Sequence, residues 1–132
     1  MDTQKKYGLL SDLIALAFAD NTLKNEEYDF ILRMAKRMEV SEAEVEHLLE
    51  HPVDSQPIAS EMDRIVHFHK LVLLMNVDRE VHESEVLLLR EFGIKLGIRP
   101  GAVDRILNRT QEIENHVIPA NELIGIFKTY YN

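Results

Sequence analysis

"LIALAFAD", Leu13–Asp20, and "LVLLMNVD", Leu71–Asp78, are one pattern written twice: an apolar run closed by an Asp. With the chain shifted by 58 positions, the distance from Leu13 to Leu71, Leu13–Leu49 aligns with Leu71–Leu107 without a gap. Leu13/Leu71, Leu16/Leu74, Asp20/Asp78, Glu27/Glu85, Val45/Val103 and Leu49/Leu107 are identities. Apolar character is also kept at Leu23/Val81, Phe30/Leu88, Ile31/Leu89, Met34/Phe92, Met38/Leu96, Val40/Ile98 and Leu48/Ile106. Any two amphipathic helices can be slid into register, but register held across three helices and two loops is hard to obtain by chance.

Each unit reads as helix, loop, helix, tight turn, helix. Leu9, Leu13, Leu16 and Ala17 form the apolar stripe of a first helix that stops near Asp20. Asn25 is placed to cap the second helix, with Glu26 and Glu27 against its positive dipole end. "SEAE", Ser41–Glu44, is a capping box that opens the third helix, and Pro100 opens its counterpart at the first helical position. "HPVDSQP", His51–Pro57, separates the units. "NELIGIFKTYY", Asn121–Tyr131, adds one more stripe through Leu123, Ile126, Phe127 and Tyr130, with no twin in the first unit. The expectation is an all-α fold in one domain over residues 1–132: two pseudo-repeated three-helix units sharing one core, plus a C-terminal helix. Unit one spans about 9–50, unit two about 67–109 and the last helix about 119–131.

Composition bounds the function. The net charge of −8 repels phosphate backbones and no basic cluster offsets it, which argues against nucleic-acid binding. With Cys 0, thiol chemistry and Cys-ligated metals are excluded. No stretch approaches the ~20 apolar residues of a membrane span, so no membrane insertion is expected. Lys5 and Lys6 ahead of Leu13–Ala19 imitate a signal peptide, with Ala17-Phe18-Ala19 as a cleavage-like triplet. Asp12 cuts the apolar run short, leaving only Leu13–Ala19 uncharged, and the internal twin of that segment sits where no signal could, so the apolarity is read as core and the protein as cytoplasmic.

"HLLEH", His47–His51, has the His-x-x-Glu-His spacing of a metallopeptidase helix. Its counterpart in the second unit is Arg105-Ile106-Leu107-Asn108-Arg109, which keeps the apolar core residues and replaces every ligand. Pro52 also ends the helix at once, so the pair reads as surface histidines. His67 and His69 lie two apart, cannot chelate together and read as bystanders, as does His82 in its loop. No Gly-rich phosphate loop, nucleophile elbow or nucleophile–base set occurs, and the chain reads as a non-enzyme without a cofactor.

The acidic loops "DNTLKNEE" (Asp20–Glu27) and "DREVHESE" (Asp78–Glu85) allow two readings. Each Asp can accept backbone N–H groups in its own loop, with the Glu favoured at the next helix start. Alternatively Asp20, Glu27, Asp78 and Glu85 begin a divalent-cation site, although position twelve of each loop is Ile31 or Leu89, unlike an EF-hand.

An apolar helix ending in "FAD" or "NVD", an apolar residue three further on (Leu23, Val81), an acidic helix start, paired units and "LG" before Ile98 together resemble the tellurite-resistance TerB-like family over most of Leu9–Leu107. Members often carry Gly directly after the loop Asp, where Asn21 and Arg79 stand here. The resemblance implies a compact helical bacterial protein tied to stress response, without established enzymatic chemistry. One outlier points the same way. Val86-Leu87-Leu88-Leu89 is apolar almost all round its helix, and Leu87 replaces the polar Asp29 of the first unit. Either the C-terminal helix covers Leu87 or another chain does, which leads to an interaction or scaffold module with a protein partner or self-association. A cation-binding sensor using the acidic loops is the alternative.

Overall fold

Ser41 and Glu44 show how local chemistry sets the helix boundaries. The Ser41 hydroxyl accepts the Glu44 N–H at 3.2 Å, and the Ser41 N–H returns to Glu44 Oε1 at 3.1 Å. The other oxygen of Glu44 takes the Tyr7 hydroxyl, so one carboxylate caps the third helix and ties it to the first. Ser60 caps the fourth helix through the Asp63 N–H, and Pro100 opens the sixth as expected. The second helix departs from expectation. Its N-cap is Lys24 rather than Asn25, and Glu27 Oε1 accepts the Lys24 N–H at 3.3 Å. Because a Lys side chain has no acceptor to return, this box is one-sided.

The structure, a computed structural model, describes residues 3–19, 21–54, 57–77, 83–113 and 117–131. All regular elements among them are helices: α1 (Thr3–Ala17), α2 (Asn25–Arg37), α3 (Glu42–Glu50), α4 (Glu61–Met75), α5 (Glu83–Leu96), α6 (Pro100–Glu112) and α7 (Ala120–Tyr131). None is long and apolar enough to cross a membrane. α3 starts 58 residues before α6, at Glu42 and Pro100, and α1 ends 58 residues before α4, at Ala17 and Met75.

α1 and α4 are the centre. They pack on each other; α1 also meets α2, α3 and α5, and α4 meets α5, α6, α2 and α7. Leu10, Leu13 and Leu16 from α1 and Ile65, Phe68, Leu71 and Leu74 from α4 are each 0% exposed. Burying one such side chain contributes roughly 1.5–3 kcal/mol. α7 lies on α6 and α4. Its docking uses a flat spot, since a Cβ on Gly101 would come within 2.5 Å of the Tyr130 ring. A fork closes the same joint: Arg109 donates Nε–H to Glu122 Oε2 at 2.5 Å and Nη2–H to Oε1 at 3.0 Å. That fork holds the Glu122 carboxyl below its ordinary range.

The turns after α2 and α5 have the same construction. Val40 N–H bonds Ala35 O at 2.8 Å, and Ile98 N–H bonds Gly93 O at 2.9 Å. These are the six-to-one bonds of Schellman caps, which require a left-handed residue. Gly97 supplies it with φ 75°, but at the matching place stands Glu39 with φ 60°. A side chain there is strained by roughly 1–2 kcal/mol. Glu39→Gly is therefore expected to raise stability by about 0.5–1 kcal/mol, and Gly97→Ala to lower it by about 1 kcal/mol. Urea unfolding of the two variants measures both signs. A Glu39→Gly protein less stable than its parent would contradict the strain argument.

Candidate functional site

The residues singled out in the acidic loops divide. Asp20 and Asp78, with Arg79 and His82, lie outside the described residues. Glu27 and Glu85 hold equivalent places in the first turns of α2 and α5 and are 3% and 2% exposed. Glu27 is engaged with the backbone of Lys24, as given above. Among the described residues no three His, Asp or Glu side chains converge as metal ligands. His47 and His51 sit with ring centroids 4.9 Å apart on the exposed side of α3, as their four-residue spacing dictates.

Leu87 is 58% exposed. α7 packs on α6 and α4, so it is not the cover for this residue. Seven residues on, Ile94 is 76% exposed, the most exposed large apolar side chain described. Residues seven apart lie on one stripe, two turns and about 10 Å distant. Around them on the outer face of α5 stand Glu83, Arg90, Glu91 and Lys95. Arg90 reaches sideways to Asp104 on α6, Nη1 to Oδ1 at 2.6 Å, with both side chains half exposed. The matching positions of α2 are Asp29 and Lys36, both exposed and both charged. Sequence comparison singled out Leu87 by its exchange with Asp29; the exchange of Lys36 for Ile94 carries the same signal and was the missed half.

A second polar arrangement lies inside the bundle. Asp12 on α1 and His67 on α4 are 6% and 9% exposed and meet Oδ2 to Nε2 at 2.9 Å. An ionised carboxylate can only accept, so Nε2 carries the proton in this bond. His67 is thus a buried cross-link and not a surface bystander. Asp12 also borders a cleft of ≈ 380 Å³, lined by Pro57, Ile58, Phe92 and Leu96 with the cations Arg64 and Lys95. Arg64 is held in place by donating Nε–H to Ile58 O at 2.6 Å. Ser11 precedes Asp12, but its hydroxyl accepts the Val53 N–H at 3.1 Å. His67 faces Asp12 and makes no bond to Ser11, so no serine–histidine–aspartate relay is assembled here. His69, two residues from His67, is 8% exposed with Nε2 unpartnered among the described residues. Burial holds its imidazole below the ordinary histidine range.

Comparison with known proteins returns no match to any family model, curated protein or solved structure.

Removing either side chain breaks the buried Asp12–His67 bond, so Asp12→Leu and His67→Leu should each destabilise by about 3 kcal/mol. The double substitution should recover most of that loss, because an apolar pair of similar volume suits the α1–α4 interface. Additive losses in the double variant would show that the two groups are not coupled. For His69, the unfolded chain takes up a proton at its ordinary pKa near 6.5 while the folded chain resists it. Stability is then fully present above about pH 6.5 and declines as pH falls below it. His69→Leu should melt higher than the parent, by a margin that widens between pH 7.5 and pH 5.5. A margin independent of pH would remove His69 as the cause.

Proposed function

We propose that this chain is a non-enzymatic helical interaction module, built as two three-helix units on one core with α7 closing it. The 58-residue offset from Glu42 to Pro100 at the starts of α3 and α6, and from Ala17 to Met75 at the ends of α1 and α4, supports the two-unit reading. The observation that carries the functional reading is the outer face of α5. Leu87 and Ile94 lie in the open there, while the matching α2 face bears Asp29 and Lys36. Solvent alone favours charge at all four positions, so a second function of that face is the physical reason for two large apolar side chains. Kinship with the TerB-like family, drawn from the "FAD" and "NVD" loops and the acidic helix starts, would place the module in a bacterial stress response.

A photo-crosslinking residue at position 87, introduced in living cells, tests the reading. Covalent adducts are expected from position 87 and not from a control probe at position 29. Equal labelling from both positions, or none from either, would end the proposal.

A further inference from the structure

We infer that His47 and His51 form a two-imidazole chelate for a late first-row divalent ion, Zn²⁺, Ni²⁺ or Cu²⁺, on the open side of α3. The site is separate from the α5 face and from the acidic loops. Its backbone is fixed before any ion arrives. His51 donates its N–H to His47 O at 2.8 Å, so the two residues stand one helical turn apart on one face. Val45 and Leu48 of the same helix are buried, which anchors that turn to the core. Only two side chains remain to be ordered on binding, and a chelate prepared in this way loses little freedom.

The spacing of the rings is the one a shared ion requires. Metal–imidazole bonds are about 2.0–2.1 Å long, and the angle between two of them runs from about 90° in square or octahedral sites to about 109° in tetrahedral ones. Two rings that each aim one nitrogen at the same ion then have centres about 4.5–5.2 Å apart. The ring centres of His47 and His51 are 4.9 Å apart, with the planes tilted by 41°. Both side chains are exposed, and neither has a hydrogen bond or ion pair among the described residues, so their nitrogens are open to an ion. Exposed Glu46, Glu50 and Asp54 stand close in the chain, and their charge draws cations to this surface. Imidazole ligands select the late transition ions over Mg²⁺ and Ca²⁺, which take oxygen. A peptidase needs a third protein ligand and a cleft; a two-imidazole site needs neither, because water completes the coordination.

The second unit uses the matching positions differently. Arg105 and Arg109 stand there, and Arg109 is committed to Glu122 of α7. Among the described residues α3 packs on α1 and α2, with no helix in the place that α7 takes on α6. The same face that docks a helix in one unit therefore presents imidazoles to solvent in the other.

Calorimetric titration of the full chain with ZnCl₂, NiCl₂ and CuCl₂, in a non-coordinating buffer at about pH 7.5 where imidazole is neutral, tests the site. One ion per chain should bind at the pair, with Kd on the order of 1–100 µM for Zn²⁺ and Ni²⁺, since two ligands fall well short of a four-ligand structural site. Cu²⁺ should bind tightest, and an about tenfold excess of MgCl₂ should leave the Ni²⁺ titration unchanged. His47→Ala and His51→Ala should each weaken Ni²⁺ binding at least about tenfold, because the chelate becomes a single imidazole. Metal-free melting temperatures of both variants should stay close to the parent's, as both side chains are exposed. Paramagnetic Ni²⁺ should broaden the ring signals of His47 and His51 together in the NMR spectrum, before those of the other histidines. Absence of Zn²⁺, Ni²⁺ and Cu²⁺ binding below about 1 mM would overturn the inference. Variants that bind Ni²⁺ as tightly as the parent, or displacement of Ni²⁺ by MgCl₂, would overturn it equally.

Discussion

The contact between α1 and α4 is the constraint on which the other helices depend. Nine of the 15 residues of α1 and eight of the 15 of α4 are buried, the apolar ones foremost. Apolar packing alone holds two such rods together but leaves their sliding weakly determined, because Leu against Leu one turn along is nearly as good. The Asp12–His67 bond removes that freedom. A buried carboxylate and imidazole are best accommodated where they meet, and a shift of one turn would break the bond between them. The bond adds little net stability over an apolar pair; its effect is to make one register far better than its neighbours. With α1 and α4 in register, α2 and α5 are placed by their contacts to both, and α3 and α6 follow.

The helix ends carry the second constraint. The turns after α2 and α5 must reverse direction within four and three residues, 38–41 and 97–99, to bring α3 and α6 back onto α1 and α4. Both use the same left-handed cap, although only Gly97 adopts it without strain. That Glu39 takes φ 60° means tertiary packing outweighs local preference there. Val40 and Ile98 follow directly, 7% and 4% exposed, and anchor each turn into the core. Burial of that one side chain is large enough to offset the unfavourable backbone at Glu39.

Much of the fold was legible in the chain because it depends on short-range patterns. The Ser41–Glu44 box, Pro100 and the last apolar stripe place the starts of α3, α6 and α7 within a residue or two. By contrast, α1 is already helical at Thr3 and α4 begins at Glu61, six residues ahead of the expected unit start at 67, because their polar first turns carry no apolar stripe. The N-cap at Lys24 was missed because Asn25 is the better capper in isolation, and the helix start is instead set by Glu27 bonding the Lys24 N–H. What sequence could not supply is pairing over distance. Asp12 looked like a blemish in an apolar run and His67 like a bystander, since the carboxylate and its imidazole are 55 positions apart in the chain and meet only in the fold. A polar residue amid apolar ones has no local sign that says whether it points to water or to a partner. The acidic loops remain a matter of the sequence alone, their two aspartates being outside the described residues.

The comparison of α2 with α5 shows what such an internal repeat can disclose. Their inward faces are interchangeable: Ile31 and Leu89 are both fully buried, and Met34 and Phe92 are nearly so. A face that packs against the core is constrained to stay apolar, so agreement there reports only on folding. The outward faces have no such obligation, and it is there that the two helices part. Charge on α2 satisfies solvent and asks for nothing more. Leu87 and Ile94 on α5 do not satisfy solvent, and no helix among the described residues covers them. Exposed apolar groups scattered singly are ordinary, but two on one stripe, both at positions where the twin helix is charged, are a patterned departure from what the fold requires. The difference between equivalent faces separates what a helix needs to fold from what it carries for another purpose.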